Sequence, residues 1–498
     1  MLHLALIYVM GYFLIATLIP SIALMLGGLW LAGPLGGTIG AFAAVPVGIL
    51  TYVAGAIVVV RMLRPLEAGS MPIHSFAYLK HWFVSYLLEN TKTILQPVYA
   101  TIFCPSFLRA LGAKIGPGSE ISTVSHITPN LLEVGEGSFL ADACLVGGQR
   151  INGGIVEVGT VSIGARSFIG NSALVSGGHT IGSNSLIGAA STPPAQVADV
   201  PDDTRWFGAP GFALPQTQQD ATFDDKEIFA PTRRALIART LTDTMRILLP
   251  GMIFALQTVS FVTLIVLAQR AMMPTWLLVL CVPLIASALA FVSLRLSALV
   301  KELFIGRIAT VVKPLWSRFI WNNELVNGVY EAVAAPVMAP LMGTPFLAAY
   351  LRLMGCKVGK WCYLGTTLFS EFDLVEIGDR ACLNIGATIQ THLFEDRVFK
   401  ADVIKIDDDC TVGNMAVVLY GTEMRRASNL GPLSVLMKGE MLPEGSRWHG
   451  TPCEPLRLPK VRTPDAVKPK SAVSDLSAQQ KPVRWQMHES AGSLQPAA

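Results

Sequence analysis

Ile163-Gly164-Ala165-Arg166-Ser167-Phe168-Ile169-Gly170-Asn171-Ser172-Ala173-Leu174-Val175 carries an apolar residue at every sixth position, and the row continues through Ile181 and Ile187. Gly164, Gly170, Gly182 and Gly188 follow four of these residues. An earlier row, Val134, Leu140 and Val146, is offset by one register. A period of six is neither the 3.6 of a helix nor the 2 of a single strand. It suits a triangular coil in which each face is one short strand and its apolar residue points inward. Stacked coils bury a continuous core that no single coil could bury. The expectation is a left-handed parallel β-helix of hexapeptide repeats.

The pattern occurs twice. Ile377, Leu383 and Ile389, then Ile406, Val412 and Val418, then Leu430 and Leu436 form a second set of rows. The flanks repeat as well. Phe107-Leu108-Arg109-Ala110-Leu111-Gly112-Ala113-Lys114-Ile115-Gly116 returns as Tyr350-Leu351-Arg352-Leu353-Met354-Gly355-Cys356-Lys357-Val358-Gly359, 243 positions later. Arg205-Trp206-Phe207-Gly208-Ala209-Pro210 returns as Arg447-Trp448-His449-Gly450-Thr451-Pro452, 242 later. Each half can therefore serve as a control for the other. Packing residues should match in both, and residues that do chemistry can differ if one half is active.

Outside the repeats the chain is apolar. Of its 498 residues 52% are hydrophobic and only 15% charged, far from an ordinary soluble composition. Leu2 to Leu31, Gly36 to Val60, Ile247 to Ala268 and Met273 to Leu294 are each long enough to cross a hydrocarbon core of roughly 30 Å. They read as two transmembrane hairpins. The first run is too long for a signal-peptide core and leads straight into another span. The expected order is hairpin 1–61, interfacial helices 62–111, first β-helix 112–213, linker helix 214–246, second hairpin 247–298, interfacial helices 299–353, second β-helix 354–458 and a disordered tail 459–498. Lys80, Trp82, Phe83, Tyr86 and Leu87 suggest a helix at the membrane interface or against the mouth of the coil.

Basic residues flank the hairpins outside their connections: Arg61 and Arg64, Arg233, Arg234, Arg239 and Arg246, then Arg295, Lys301 and Arg307. The positive-inside rule puts both soluble parts in the cytoplasm, on a multi-pass protein of the cell (inner or plasma) membrane. Cys144, Cys362 and Cys410 occupy the small position of a hexapeptide and are expected as buried free thiols. A net charge of +3 gives no sign of nucleic acid.

Between Lys114 and Tyr420 the halves align at 243 without a gap. Packing positions agree: Leu140 with Leu383, Ile163 with Ile406, Gly170 with Gly413, Asn171 with Asn414. Ionisable positions do not. His392 faces Gln149, Glu371 faces Thr128, Asp373 faces Asn130, Glu395 faces Asn152 and Asp396 faces Gly153. Five groups able to hold or move a proton are replaced by five that are not, which suggests an active second half and a degenerate first. His accepts a proton near neutral pH, and a carboxylate would fix its tautomer. His392 is the expected general base, with Glu371 or Asp373 orienting it. Residues 392–397 break the six-residue rhythm and should bulge as a loop. Glu395, Asp396, Asn414 and His449 are candidate substrate-binding groups. Glu395 and Asp396 have an alternative as ion-pair partners of Arg397. No metal site is expected, since a zinc centre of the γ-carbonic-anhydrase kind needs three His and the second half offers only His392 and His449.

Ser370-Glu371-Phe372-Asp373-Leu374-Val375, Gln390-Thr391-His392-Leu393-Phe394-Glu395-Asp396-Arg397, Gly431-Pro432-Leu433-Ser434 and Arg447-Trp448-His449-Gly450 resemble the C-terminal region of the ε-poly-L-lysine synthetase type of nonribosomal peptide synthetase. The resemblance covers most of residues 1–458. It implies a membrane region with tandem acyltransferase-like domains that join aminoacyl groups, with His392 at the place of the general base. The adenylation and carrier domains of that family have no counterpart in this sequence. The resemblance thus implies an adenylation enzyme and a carrier protein acting in trans, with a phosphopantetheine thioester or an acyl-CoA as donor and no bound cofactor. Two other readings stand beside it. One is an acyl-CoA-dependent O-acyltransferase on a sugar or lipid-linked acceptor. The other is a non-enzymatic membrane scaffold. Pairing of the two β-helices within one chain and oligomerisation are both open.

Overall fold

The computed structural model describes residues 2–64, 66–194, 197–215, 223–395 and 397–456. The tail expected from 459 onward lies outside them. Among the described residues three helices are long and apolar enough to cross a membrane. The first, α1 (Leu2–Met62), folds back on itself where Ala32 and Gly33 leave helical geometry. Gly33 takes φ +62°, which glycine adopts without steric cost. The two arms meet closely at Gly28 and Gly36, where any side chain would strike backbone. Ser21 Oγ donates to Ala44 O at 2.9 Å and Thr51 Oγ1 to Thr17 O at 2.7 Å, tying the arms together. This turn matches the break expected between residues 31 and 36.

Two shorter helices follow: α2 (Phe76–Ile94), capped by the Ser75 hydroxyl, and α3 (Cys104–Leu111). After the first coil come α4 (Arg233–Arg270) and α5 (Thr275–Phe304). Here the structure corrects the expected boundary at 246. The basic stretch from Arg233 is no separate linker helix but the first turns of α4, capped by Thr232. Its Arg239, Asp243 and Arg246 are buried. In the second half α6 (Arg318–Val329) and α7 (Pro345–Met354) correspond to α2 and α3.

The apolar rows are ladders of parallel strands. On one face of the first half Ile121, Leu140, Ile169, Ile187 and Trp206 stack in register. On a second, Ile115, Val134, Ile163, Ile181 and Val200 do so. Val146 and Val175 make the third. Residues six apart thus lie on successive faces, and Ile163 meets Ile181 one full coil later. The second half repeats this with Leu364, Leu383, Val412, Leu430 and Trp448, with Val358, Ile377, Ile406, Met424 and Leu442, and with Ile389, Val418 and Leu436. Nearly all of these side chains are buried, each stabilising the coil by roughly 1.5–3 kcal/mol.

The duplicated flanks do the same work in both halves. Gly112 and Gly355 end α3 and α7 at φ +117° and +114°. Arg109 donates to Ile115 O and Gly116 O, and Arg352 to Val358 O and Gly359 O, clamping each helix to its first coil. Cys144 and Cys410 are buried as expected, whereas Cys362 is only half-buried.

Candidate active site

Residues 392–395 do not belong to an irregular loop. His392–Glu395 and Val398–Ala401 form an antiparallel hairpin, with Arg397 at φ +63° in its turn, and Val311–Pro314 pairs as a third strand. The six-residue rhythm breaks there because the chain leaves the coil to make this small sheet. The first half builds the same sheet from Gly69–Pro72, Arg150–Asn152 and Ile155–Val158.

His392 stands at the root of the hairpin, 7% exposed. Its Nδ1 lies 2.6 Å from Oε2 of Glu371. Glu371 is fully buried and every lone-pair direction of its carboxylate is used. Oε2 also accepts from the Thr391 hydroxyl at 2.5 Å, and Oε1 accepts from Asn323 at 2.5 Å and Asn327 at 3.2 Å. Its backbone sits at φ +35°, ψ 60°, a region costing a non-glycine residue about 1–3 kcal/mol and frequent at functional sites. The counterpart Thr128 has an ordinary φ of −108°. The His392 ring stacks on Phe399 at 4.5 Å. With Nδ1 committed to the carboxylate, Nε2 is the nitrogen left for chemistry.

Burial alone would lower the His392 pKa. The charge and hydrogen bond of Glu371 outweigh it, Glu324 and Asp142 add to the effect, and the pKa is raised above 6.5. Burial pushes the Glu371 carboxyl up, but the charge and hydrogen bond of His392, with Thr391 and Asn323, hold it well below the carboxylate range.

His392 opens into a narrow cleft whose opposite wall is the first coil. Phe394 packs on Phe139 at 5.1 Å, and Phe139 on Phe168 at 5.4 Å. Arg397 reaches across to donate to Gly118 O and Ser138 O. Glu120 and Asp142 of the first coil, Arg239 and Asp243 of α4, and Glu324 of α6 also line the cleft. Arg239 makes a two-pronged pair with Glu120 at 2.8 Å and lies 3.6 Å from Asp243. Arg246 pairs with Glu324 at 2.9 Å. Asp142 has hydroxyl partners, Ser122 and Thr123, and no ion-pair partner among the described residues. It is the exposed carboxylate of the cleft.

The other expected site residues lie elsewhere. Asp373 does not orient His392. It pairs with Lys301 at 2.7 Å and accepts from Ile308 N at 3.0 Å, fastening the end of α5 to the coil. Its counterpart Asn130 does equivalent work by donating to Leu66 O. Glu395 is held by Lys400, Lys438 and the Tyr420 hydroxyl rather than by Arg397. Asn414 and His449 are exposed and do not line the cleft. Asp396 lies outside the described residues. The view of the first half as degenerate also needs correction, because that half supplies one wall of the site. Glu120 and Asp142 align with Tyr363 and Ile385. Running the comparison in the reverse direction would have found them. Asn323, Glu324 and Asn327 lie on α6 and escaped because that helix precedes the region aligned without gaps.

No protein-family model matches the chain. The chain is similar to a delta-poly-L-ornithine synthetase of Acinetobacter baumannii, with 36% identity over 396 residues. The match takes in 79% of this chain but only 29% of that protein, so the chain spans under a third of the relative's length. Among solved structures, a mutant of AntD, an N-acyltransferase from Bacillus cereus, in complex with dTDP and coenzyme A, aligns over 71% of this chain and 88% of its own, at 9% identity and a TM-score of 0.15. A serine acetyltransferase of Entamoeba histolytica in complex with cysteine aligns over 41% and 72%, at 16% and 0.14. At such scores neither carries an argument.

Proposed function

We propose that the chain is a membrane-bound acyltransferase that forms an amide, moving an aminoacyl or acyl group from a pantetheine thioester to an amine. The observation that carries this reading is the buried Glu371–His392 pair in the wall of a cleft, with Nε2 not engaged by the carboxylate. The acceptor amine attacks the thioester carbonyl while Nε2 takes its proton. The tetrahedral intermediate collapses, its carbonyl re-forms, and the departing thiolate takes the proton back from the imidazolium. The products are one amide and one free thiol. General-base help of this kind contributes roughly 10²–10⁴ in rate. Asp142 favours an amine over a hydroxyl acceptor, because a lone carboxylate at the mouth attracts an ammonium and gives an alcohol little.

The relative's name suggests ornithine as the amino acid handled. A carrier protein and an adenylation enzyme in trans would supply the thioester. We read the coils as left-handed β-helices of hexapeptide type, the two arms of α1 with α4 and α5 as four spans, and the soluble parts as cytoplasmic. Reporter fusions that placed Ser167 and Cys410 outside the cell would overturn that orientation. The function is tested by supplying an ornithyl-pantetheine thioester and a diamine to the membrane-inserted protein and following amide by mass spectrometry. Amide that depends on His392 supports the reading. Equal transfer to a sugar hydroxyl, with none to the amine, would replace it by O-acylation.

A further inference from the structure

A cavity of about 1050 Å³ lies between the apolar helices, separate from the catalytic cleft. The two arms of α1 wall one side, through Thr17 and Ser21 on one arm and Ala41 to Tyr52 on the other. Pro250, Phe254 and Thr258 of α4 wall the opposite side. From Ala41 to Tyr52 a helix rises roughly 17 Å, about half of a ~30 Å hydrocarbon core. The slot is therefore one leaflet deep. Its inner end lies where α2 crosses α1, marked by the Tyr52 hydroxyl 3.2 Å from that of Thr91.

The slot is apolar along its length and polar at that inner end, where Gln96 meets Glu331. Gln96 Nε2 donates to Glu331 Oε2 at 2.5 Å, which fixes the orientation of the amide. Its Oε1 is buried and has no partner among the described residues. Glu331 is exposed to the cavity. It sits in the π-helical turn Tyr330–Ala334 that ends α6, a kind of turn frequent at functional sites. The Gln96 Oε1 and the carboxylate of Glu331 are acceptors that call for a ligand that donates, and a primary ammonium offers three N–H groups. An apolar slot calls for an aliphatic chain.

We propose that this slot binds a membrane amphiphile, its single aliphatic chain lying along the slot and its protonated primary amine held by Glu331 and Gln96. The proposal rests on α1 and α4 crossing a membrane and is independent of the chemistry assigned to His392. The slot and the cleft are separate spaces lined by neighbouring segments of chain. Glu324 faces the cleft and Glu331 the slot, about 10 Å apart along one helical run, and Ala100 lines the cleft while Val98 lines the slot.

The test uses the full chain in phosphatidylcholine nanodiscs and a dodecylamine bearing a diazirine at its far end. Photolysis should label the outer part of the slot, around Ala41 and Thr258. Unlabelled dodecylamine should compete at a bilayer concentration at least about tenfold below that of dodecanol, which has the same chain but lacks the charge. Glu331→Gln, or Glu331→Leu should the first variant fail to insert, should erase that preference. Labels scattered over the lipid-facing surface would overturn the proposal, as would equal competition by amine and alcohol in the wild-type protein. His392→Ala should keep the labelling while losing turnover, so this proposal and the proposed function fail separately.

Discussion

Nδ1 of His392 and Oε2 of Glu371 are 2.6 Å apart, in a pocket where the carboxylate is wholly buried and accepts three further hydrogen bonds. The two residues come from neighbouring coils, and their counterparts Gln149 and Thr128 reproduce none of this: Gln149 donates only to the Ser85 hydroxyl, at 3.3 Å. The carboxylate fixes one imidazole tautomer, raises the basicity of the ring and leaves Nε2 for chemistry.

Glu371→Gln should slow turnover less than loss of the imidazole itself, since the base remains. It should also move the acid limb of the pH–rate profile to lower pH, because burial then acts on His392 without its opposing carboxylate. A purely structural role for Glu371 would leave the limb in place. In the wild-type protein that limb should lie above pH 6.5, where the raised His392 pKa puts it.

Stability should follow the same pair with opposite signs at its two ends. The raised His392 pKa contributes stability that is full below about pH 6.5 and lost as pH rises through the folded value. The lowered Glu371 pKa contributes stability that is full above about pH 4.5 and lost as pH falls through its folded value. Denaturant midpoints of wild type minus His392→Ala should therefore be largest between about pH 4.5 and 6.5. A difference flat from pH 4 to 9 would contradict the pairing.

Asp373→Asn should destabilise without touching the chemistry. The change leaves the buried Lys301 ammonium unpaired, a loss of about 3–5 kcal/mol, while turnover per folded molecule stays near wild type. Thermal unfolding and active-fraction-corrected rates check both halves of this statement. A folded, stable Asp373→Asn protein with little turnover would return Asp373 to the site.

Asp142→Asn should raise KM for a cationic diamine by about 10- to 100-fold, the worth of a hydrogen bond to a charged group, and leave kcat nearly unchanged. Gln149→Ala, at the counterpart of His392, should stay within a few-fold of wild type. An unchanged KM in Asp142→Asn would remove the first coil from acceptor recognition.

The coil was legible because a six-residue apolar period has few other physical meanings, and the ladders through Ile163 and Ile406 follow that period. His392 and Glu371 were legible through the contrast with Gln149 and Thr128. Asp373 misled because a carboxylate in a buried tether and one in a site differ only in their partners, and Lys301 lies far off in sequence. Asp142 and Glu120 were missed because residues that wall a cleft from the other coil become functional only when the two coils pack. One period fixes each coil, but no period encodes the seam, which Phe394, Phe139 and Arg397 hold through contacts hundreds of residues apart.

The central claim is that His392 is the base of an amide-forming transfer. The most direct measurement is the single-turnover rate of amide formation by membrane-inserted wild type and His392→Ala, with an ornithyl-pantetheine thioester and a diamine. The account predicts a rate lower by roughly 10²–10⁴ in the variant, whose coil keeps its apolar rows and its fold. A folded His392→Ala protein that forms amide at close to the wild-type rate would contradict it.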